Sequence, residues 1–547
     1  MDAAGAGSSW PPWAARAARR IGPWMSVLGA GLLFARACPP YDWSWAAWAV
    51  PGLLLVPTRN LRRMPAFAAG VLYAVVIGTL ITSWAPHAAL IYFDVHPLLA
   101  RAFIAAVHVA NPGVPCGLLV LAYTVLRRRV APAARGLIGA WLWVASELLR
   151  VWSLGWEILG HSQYAHLPLI QIADLGGVYA ISFVMAFLSI SVFEWLADAR
   201  IEGMDWGVSL RRLALPCACV LATLAYGIDR GRVYAHVTDN PAHNVAVVQG
   251  DIPNAYRWKR AFFARTIATY AQLTSRVQDS ADLIVWPENA VSFYVDQDAL
   301  LRGQLAEVAA FAPAGLLLGA PRREDGERVH NSVYLLDREG RIGGIYDKQK
   351  LVPFAEYNPL RALFRAATDG DVYIAGADAA PLHTVIANIG TMICYEVLFP
   401  GLVRDLVRGG AELLVNVSND SWMDTGDGAA QRQHLSMAVF RAIETRRFLV
   451  RAASSGLSAF ISPDGAIVSV LPNHTASTAM APVVARREQT LYVRWGDSVW
   501  LIFGLCLLAD LVRRRAFFAP PLDAAAHSEP IRAGAAAGVR AARASLL

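Results

Sequence analysis

Eight apolar runs separated by clusters of arginine set the first constraint on this 547-residue chain. They fall at about 24–37, 43–57, 66–84, 98–126, 136–151, 177–196, 213–228 and 499–512. A soluble core does not absorb so many apolar runs, and with 56% hydrophobic residues, 17% charge and 18 tryptophans they read as membrane spans. Several fall short of the ~20 residues that cross a bilayer, so their ends are loose by several residues. The first resembles a signal peptide behind Arg16, Arg19 and Arg20, but Arg36 beside Cys38 spoils a lipoprotein-type cleavage site. It is read as an uncleaved span. The fourth contains Asn111-Pro112-Gly113-Val114-Pro115, which should break or kink it.

Arginine placement sets the orientation. Clusters at Arg16/Arg19/Arg20, Arg59/Arg62/Arg63, Arg127/Arg128/Arg129, Arg211/Arg212 and Arg513/Arg514/Arg515 alternate along the spans. The positive-inside rule then makes the N-terminus cytoplasmic and keeps the fourth run as one crossing. The resulting organisation is a cytoplasmic segment (1–20), a membrane domain of about seven spans (21–229), a periplasmic catalytic domain (230–495), a final span (496–513) and a disordered cytoplasmic tail (514–547). The net charge of +7 belongs to this topology and not to nucleic-acid binding. No internal repeat points to an inverted-repeat transporter.

From about 243 to 484 the texture changes. Strand-like runs at 245–249, 283–286, 316–319, 332–336, 385–389, 413–417 and 449–453 alternate with helical patterns at 262–278, 300–311 and 429–446. Such alternation predicts a layered α/β domain. Of six cysteines, Cys394 alone lies in this polar part, and with no C-x-x-C pairing neither a disulfide framework nor a metal site is indicated.

Cys394 sits in Gly390-Thr391-Met392-Ile393-Cys394-Tyr395-Glu396, after a β-rich run and before Pro400 and a helical segment. A small side chain at a strand-to-helix corner stands clear of the sheet, as in a nucleophile elbow, although no G-x-S-x-G occurs. A buried cysteine acting as a small hydrophobe is the competing reading. Glu288 ends Leu283-Ile284-Val285-Trp286-Pro287-Glu288, where aromatic cover can raise a carboxyl pKa and make a general base; a helix N-cap or surface acid is the alternative. Lys348 can lower a thiol pKa and hold an oxyanion, with Glu356 fixing the ammonium, unless the loop is a solvated turn. Lys259, Lys348 and Lys350 are the only lysines among 49 basic residues, so a lysine marks a place where arginine does not serve. Trp258 and Trp422 are loop aromatics, read as pocket, packing or interfacial groups. A Cys-His-Asn set with His434 or His383 is formally possible, but no papain-type motif surrounds Cys394. H-E-x-x-H, a P-loop and a strand-linked G-x-G-x-x-G are absent.

Glu288, Lys348 and Cys394, in this order at three strand ends, resemble the nitrilase or carbon–nitrogen hydrolase superfamily. The resemblance extends over nearly the whole chain to the apolipoprotein N-acyltransferase family. It is carried by Trp141 to Glu147 and Arg150, Leu159-Gly160-His161-Ser162-Gln163-Tyr164, Gln171-Ile172-Ala173-Asp174-Leu175-Gly176-Gly177, Gln249-Gly250-Asp251, Trp286-Pro287-Glu288, Leu351-Val352-Pro353-Phe354, Cys394-Tyr395-Glu396, Ser418-Asn419-Asp420-Ser421-Trp422 and Arg441-Ala442-Ile443-Glu444. It implies a multi-span α-helical membrane domain joined to a nitrilase-like αββα sandwich. It gives Glu288, Lys348 and Cys394 the catalytic places, Glu356 and Glu396 supporting roles, Trp258, Trp422 and Tyr395 the pocket aromatics, and Asn331 a polar pocket position. Ala355 departs from the glycine usual before the second glutamate, and the Arg-rich tail has no counterpart.

The implied reaction is acyl transfer from the sn-1 ester of a phospholipid, through a thioester, to the N-terminal amine of S-diacylglyceryl cysteine in an apolipoprotein. The implied partners are the phospholipid donor, the lipoprotein acceptor and the lipid bilayer, with no cofactor and no nucleic acid, at a bacterial inner membrane. Residues 354–364 are expected to form an apolar lid. A membrane-tethered amidase or nitrilase, and a catalytically silent binding protein, are the alternatives.

Overall fold

The computed structural model describes residues 12–93, 96–151, 155–156, 158–202, 210–235, 242–253, 256, 258–324, 328–353, 355–357 and 373–518. It divides into two units, 1–500 and 501–547. The described part of the second continues the helix Ser498–Phe518. The expected lid (Phe354 and residues 358–364) and residues 519–547 of the expected tail lie outside the described residues.

Helices occupy all eight apolar runs. Among the described residues four are long and apolar enough to cross a membrane: Arg63–Ile81, Pro97–Arg129, Val178–Ala199 and Arg211–Tyr234. The break expected at Asn111-Pro112-Gly113 is absorbed by a π-helical turn, Val109–Gly113, between the α-helices Pro97–His108 and Val114–Leu126. A wide turn accommodates the proline's missing N–H without ending the helix. Glu194 pairs with Arg59, Arg127 and Arg135, each at 3.1 Å, so the arginine-bearing loops at 59 and 127 share one end of the bundle.

Among the described residues the α/β part has twelve strands. The first six are β1 (Ala242–Gln249), β2 (Leu283–Val285), β3 (Leu316–Arg323), β4 (Val329–Leu336), β5 (Ile342–Asp347) and β6 (Leu382–His383). They are followed by β7 (Asn388–Ile393), β8 (Leu413–Ser418), β9 (Leu449–Ala453), β10 (Ala459–Ile461), β11 (Ile467–Val470) and β12 (Ser477–Val484). Two six-stranded sheets run β12-β1-β2-β3-β4-β5 and β11-β10-β9-β8-β7-β6. Each has a parallel centre, β1-β2-β3 in one and β7-β8-β9 in the other, with antiparallel flanks. The first sheet's outer face buries Ala246, Val248, Ile284, Trp286, Leu316 and Leu318 with Tyr270 and Leu305 from its covering helices, Phe263–Thr274 and Ala299–Ala309. Pro400–Arg408 and Ala429–Thr445 belong to the second sheet's side.

One local expectation needs correction, and the strand before Lys348 has no counterpart among the expected runs. The strand expected at 385–389 begins later, because Thr384 Oγ1 accepts from the N–H of Ala387 at 3.1 Å and donates to its carbonyl at 2.7 Å. That closes a tight turn, and β7 starts at Asn388 and runs to the cysteine. Strand β5, which delivers Lys348, was not legible, since Gly343-Gly344 and partial exposure break its pattern.

Candidate active site

Three strand ends converge. Glu288 follows β2, Lys348 directly follows β5 and Cys394 directly follows β7. Cys394 has φ 51° and Asn289, beside Glu288, has φ 48°. Left-handed backbone at non-glycine residues costs energy and persists only where the surroundings enforce it. Gly319 of β3 passes close beneath the Glu288 turn: a Cβ there would lie 2.6 Å from Glu288 Cα.

All three side chains are buried. Lys348 Nζ donates to Glu356 Oε1 at 2.8 Å and lies 3.6 Å from Glu288 Oε1. Asn331 Nδ2 bridges the two acids, donating to Glu288 Oε1 at 2.7 Å and to Glu356 Oε1 at 3.1 Å. Glu288 Oε2 accepts the Asn419 N–H at 2.8 Å, and Glu356 Oε2 accepts the Val352 N–H at 2.8 Å. Glu396 joins the sheets: it accepts from Gln349 N (2.6 Å), Lys350 N (3.0 Å) and Tyr346 OH (3.0 Å) after or within β5, and from Ile393 N (2.7 Å) at the end of β7. The elbow carrying Cys394 is thereby locked to the loop carrying Lys348.

Electrostatics divides the labour. Burial, followed by the charge of Glu288, pushes the Cys394 thiol up to about 12, with Lys348 pulling the other way. At rest Cys394 is therefore a neutral thiol, and to act as a nucleophile it would need a base. Burial raises the Glu288 carboxyl above its ordinary value against the pull of Lys348. Burial alone would lower Lys348, but Glu356 and Glu288 carry it well above the usual lysine range, so it stays an ammonium. Burial lifts Glu396 to about 7 despite its hydrogen bonds.

Behind the elbow lies a network that the sequence reading missed. Asp420 takes Arg451 Nη2 at 2.7 Å, His434 Nδ1 at 3.2 Å and the Ser418 hydroxyl at 2.6 Å, all fully buried. Arg451 also binds Asn416, whose Nδ2 reaches the carbonyls of Met392 (3.2 Å) and Cys394 (3.4 Å). His434 is thus committed to Asp420 and Arg451, and His383 is paired with Asn388 at 2.7 Å. An arginine inside the apolar run 449–453 was the available signal, because a buried charge demands a partner.

Two cavities flank the site. One, of about 160 Å³, is almost wholly apolar and lies between Trp84, Ala88, Phe103, Val107 and Trp156 of the helical part and Val352, Pro353, Ala355 and Trp422. The other, of about 550 Å³, is lined by Lys350, Tyr357, Tyr373, Tyr395 and Phe399. Among the described residues no group of three His, Cys, Asp or Glu side chains is placed to hold a metal.

Residues 244–491 match the family model for carbon-nitrogen hydrolase, and residues 30–191 match that for the apolipoprotein N-acyltransferase N-terminal domain. The apolipoprotein N-acyltransferase of Pseudomonas syringae pv. tomato is 32% identical over 503 residues, 88% of this chain and 94% of that protein. The chain belongs to the apolipoprotein N-acyltransferase family. The apolipoprotein N-acyltransferase of Geobacter metallireducens is 36% identical over 391 residues, 68% of this chain and 73% of that protein. Membership makes the chain a membrane-bound N-acyltransferase built on a cysteine-nucleophile fold.

For an apolipoprotein N-acyltransferase of this sequence, Ala355 does not break the ion pair that follows it: Glu356 still reaches Lys348. Trp422 and Tyr395 line different cavities, whereas Trp258 stands half exposed and lines neither.

Proposed function

We propose that this chain moves an acyl group from the sn-1 position of a phospholipid to the N-terminal amine of S-diacylglyceryl cysteine in apolipoproteins, through a thioester on Cys394. Glu288 takes the thiol proton as sulfur attacks the ester carbonyl. Lys348, held by Glu356, faces the tetrahedral oxyanion, which is the position where a fixed cation lowers the barrier most. The C–O bond breaks, the proton passes from Glu288 to the departing glyceryl oxygen, and lysophospholipid leaves. The acceptor amine then attacks the thioester, Glu288 removes its proton, and the thiol is regenerated. A thioester is reactive enough to acylate an amine without a nucleotide.

The observation that carries this reading is the apolar cavity. Its wall is shared between membrane-domain tryptophans and Val352, Pro353 and Ala355, and the adjacent Glu356 holds the catalytic lysine. An amidase acting on a water-soluble amide has no use for an apolar wall continuous with a helical bundle. Asn331, Tyr395, Trp422 and Trp258 are assigned to substrate contact, and Glu356 and Glu396 to positioning. The arginine pattern favours a bacterial inner membrane with the catalytic part periplasmic, and the domain boundaries 21–229, 230–495 and 496–513 follow from it.

Purified protein incubated with phospholipid and increasing diacylglyceryl peptide tests the reading. Release of lysophospholipid should depend on the acceptor amine and end in N-acyl peptide. Release of free fatty acid at a rate indifferent to the amine would favour the hydrolase instead.

A further inference from the structure

Pro353 lines both cavities beside the candidate active site, the apolar one and the larger one of about 550 Å³. The larger has the size of a small-molecule site, ~300–1,000 Å³. Its walls come from the loops that carry the reacting groups. Tyr395 follows Cys394, and Gln349 and Lys350 follow Lys348. A third wall, residues 373–375, is pinned to the same loops. The Tyr373 N–H donates to the Glu356 carbonyl at 3.2 Å, and the Gly376 N–H donates to the Lys348 carbonyl at 2.8 Å.

Lys350 is the charged side chain among the described lining residues. Its backbone N–H and that of Gln349 both donate to Glu396 Oε1, at 3.0 and 2.6 Å, which fixes where the side chain starts. Its ammonium lies 5.9 Å from the Phe399 ring centroid, and among the described residues no carboxylate pairs with it. Beside it, Gln349 leaves its buried amide Nε2 without an acceptor among the described residues. A lysine ammonium binds phosphate as a point charge, and an uncommitted amide adds a donor once its side chain turns to the cavity.

Reach selects the ligand. Lys348 and Lys350 are two residues apart, so their Cα atoms are at most ~7 Å from each other. Lys348 is buried beside the two glutamates, while Lys350 is exposed and opens onto the cavity. In a glycerophospholipid the short glycerol bridge from the sn-1 ester to the phosphate has a comparable span. With the acyl chain in the apolar cavity and the ester at Cys394, the phosphate lies toward Lys350.

We propose that Lys350, with Gln349 beside it, binds the phosphate of the phospholipid donor in the larger cavity and so favours a phosphodiester lipid over a neutral glyceride. This subsite presupposes the acyl-transfer reading and supplies the polar half of its donor site. Charge and not shape is what the phosphate requires here, so an arginine at 350 still serves.

The full chain in neutral detergent is loaded in single turnover from phosphatidylglycerol, phosphatidylethanolamine or diacylglycerol with the same acyl chains, and acyl-enzyme is followed by intact mass spectrometry. The readout is the preference for each phospholipid over diacylglycerol. Lys350→Gln should lower that preference about three- to tenfold, for both phospholipids alike, because phosphate is the group they share. Lys350→Glu should lower it further, and Lys350→Arg should keep it. Gln349→Leu should shift it in the same direction as Lys350→Gln. An unchanged preference in Lys350→Gln, with all three esters loaded equally well or slowed equally, would overturn the proposal. So would a response confined to one headgroup, or a raised half-saturation for the diacylglyceryl peptide in place of the phospholipid, which would give the cavity to the acceptor. Absence of acyl-enzyme from every ester in the wild type is a separate result: it would overturn the acyl-transfer reading itself and this subsite with it.

Discussion

Glu444 Oε1 accepts the backbone N–H of Val178 at 2.9 Å, tying the buried helix Ala429–Thr445 of the catalytic part to the first turn of a membrane helix. A carboxylate at a helix N-terminus also meets the positive end of the helix dipole. The same oxygen takes Arg441 Nη2 at 2.8 Å, and the neighbouring Arg446 reaches Asp174 at 2.6 Å. Gln433 adds the Trp156 indole at 2.7 Å and the carbonyls of Pro39 and Ile81, both at 2.9 Å. The motifs around Asp174 and around Arg441, far apart in sequence, are two sides of one seam.

Removing Glu444 should therefore weaken the whole molecule. Glu444→Ala leaves Arg441 as an unpaired buried charge, which costs about 3–5 kcal/mol. The expected outcome, measured by thermal unfolding in detergent at a pH where the acid is ionised, is a clear fall in midpoint. A midpoint equal to that of the wild type would show that the seam contributes nothing.

The thiol offers a pH prediction with opposite effects in two assays. Burial and the Glu288 charge hold the Cys394 pKa up at about 12, so alkylation by iodoacetamide should keep accelerating well above the ordinary cysteine range. Glu288→Gln deletes a negative charge, lowers the thiol pKa and speeds alkylation at a fixed alkaline pH. Acyl transfer in the same variant should fall by ~10²–10⁴ through loss of the base. An alkylation plateau near neutral pH in the wild type would contradict the assignment of Glu288.

Asn331 holds Glu288 and Glu356 together with one amide group. Asn331→Leu removes hydrogen bonds to charged acceptors, worth about 1.5–3 kcal/mol, or roughly ten- to a hundredfold in rate. Single-turnover acyl-enzyme formation should slow by that much. A rate unchanged from wild type would make Asn331 a bystander.

What the sequence disclosed and what it hid follow one physical division. Cys394 was legible because cysteine is rare outside the apolar runs, and Glu288 because a hydrophobic strand ends just before it. Local patterning likewise reveals most strands and all eight apolar runs as helices. The seam and the Asp420–Arg451–His434 network join residues that are distant in the chain, and no periodicity marks such pairs. Thr384 was misread for the opposite reason: its β-branched neighbours have strand character, but its hydroxyl closes a turn. The arginine clusters were read as topology alone, yet Arg59, Arg127 and Arg212 are also partners of two buried acids.

Lys348 and Lys350 test the oxyanion role by contrast. Lys348 is buried between two glutamates, whereas Lys350 is exposed beside the Phe399 ring. Guanidinium is a wide planar fork and cannot replace a compact ammonium in that space. Lys348→Arg should cost roughly 2.7–4 kcal/mol of transition-state stabilisation, the scale of one lost oxyanion donor. Lys350→Arg should be nearly silent at matched expression. Equal losses in the two variants would remove Lys348 from the mechanism.

The central claim is the thioester. Intact and peptide mass spectrometry of the purified chain after incubation with phospholipid should find one acyl chain on Cys394, released by hydroxylamine and discharged onto an added diacylglyceryl peptide. Cys394→Ser should trap little or none. An acyl adduct on any other residue, or N-acyl peptide formed at the normal rate by the serine variant, would contradict it.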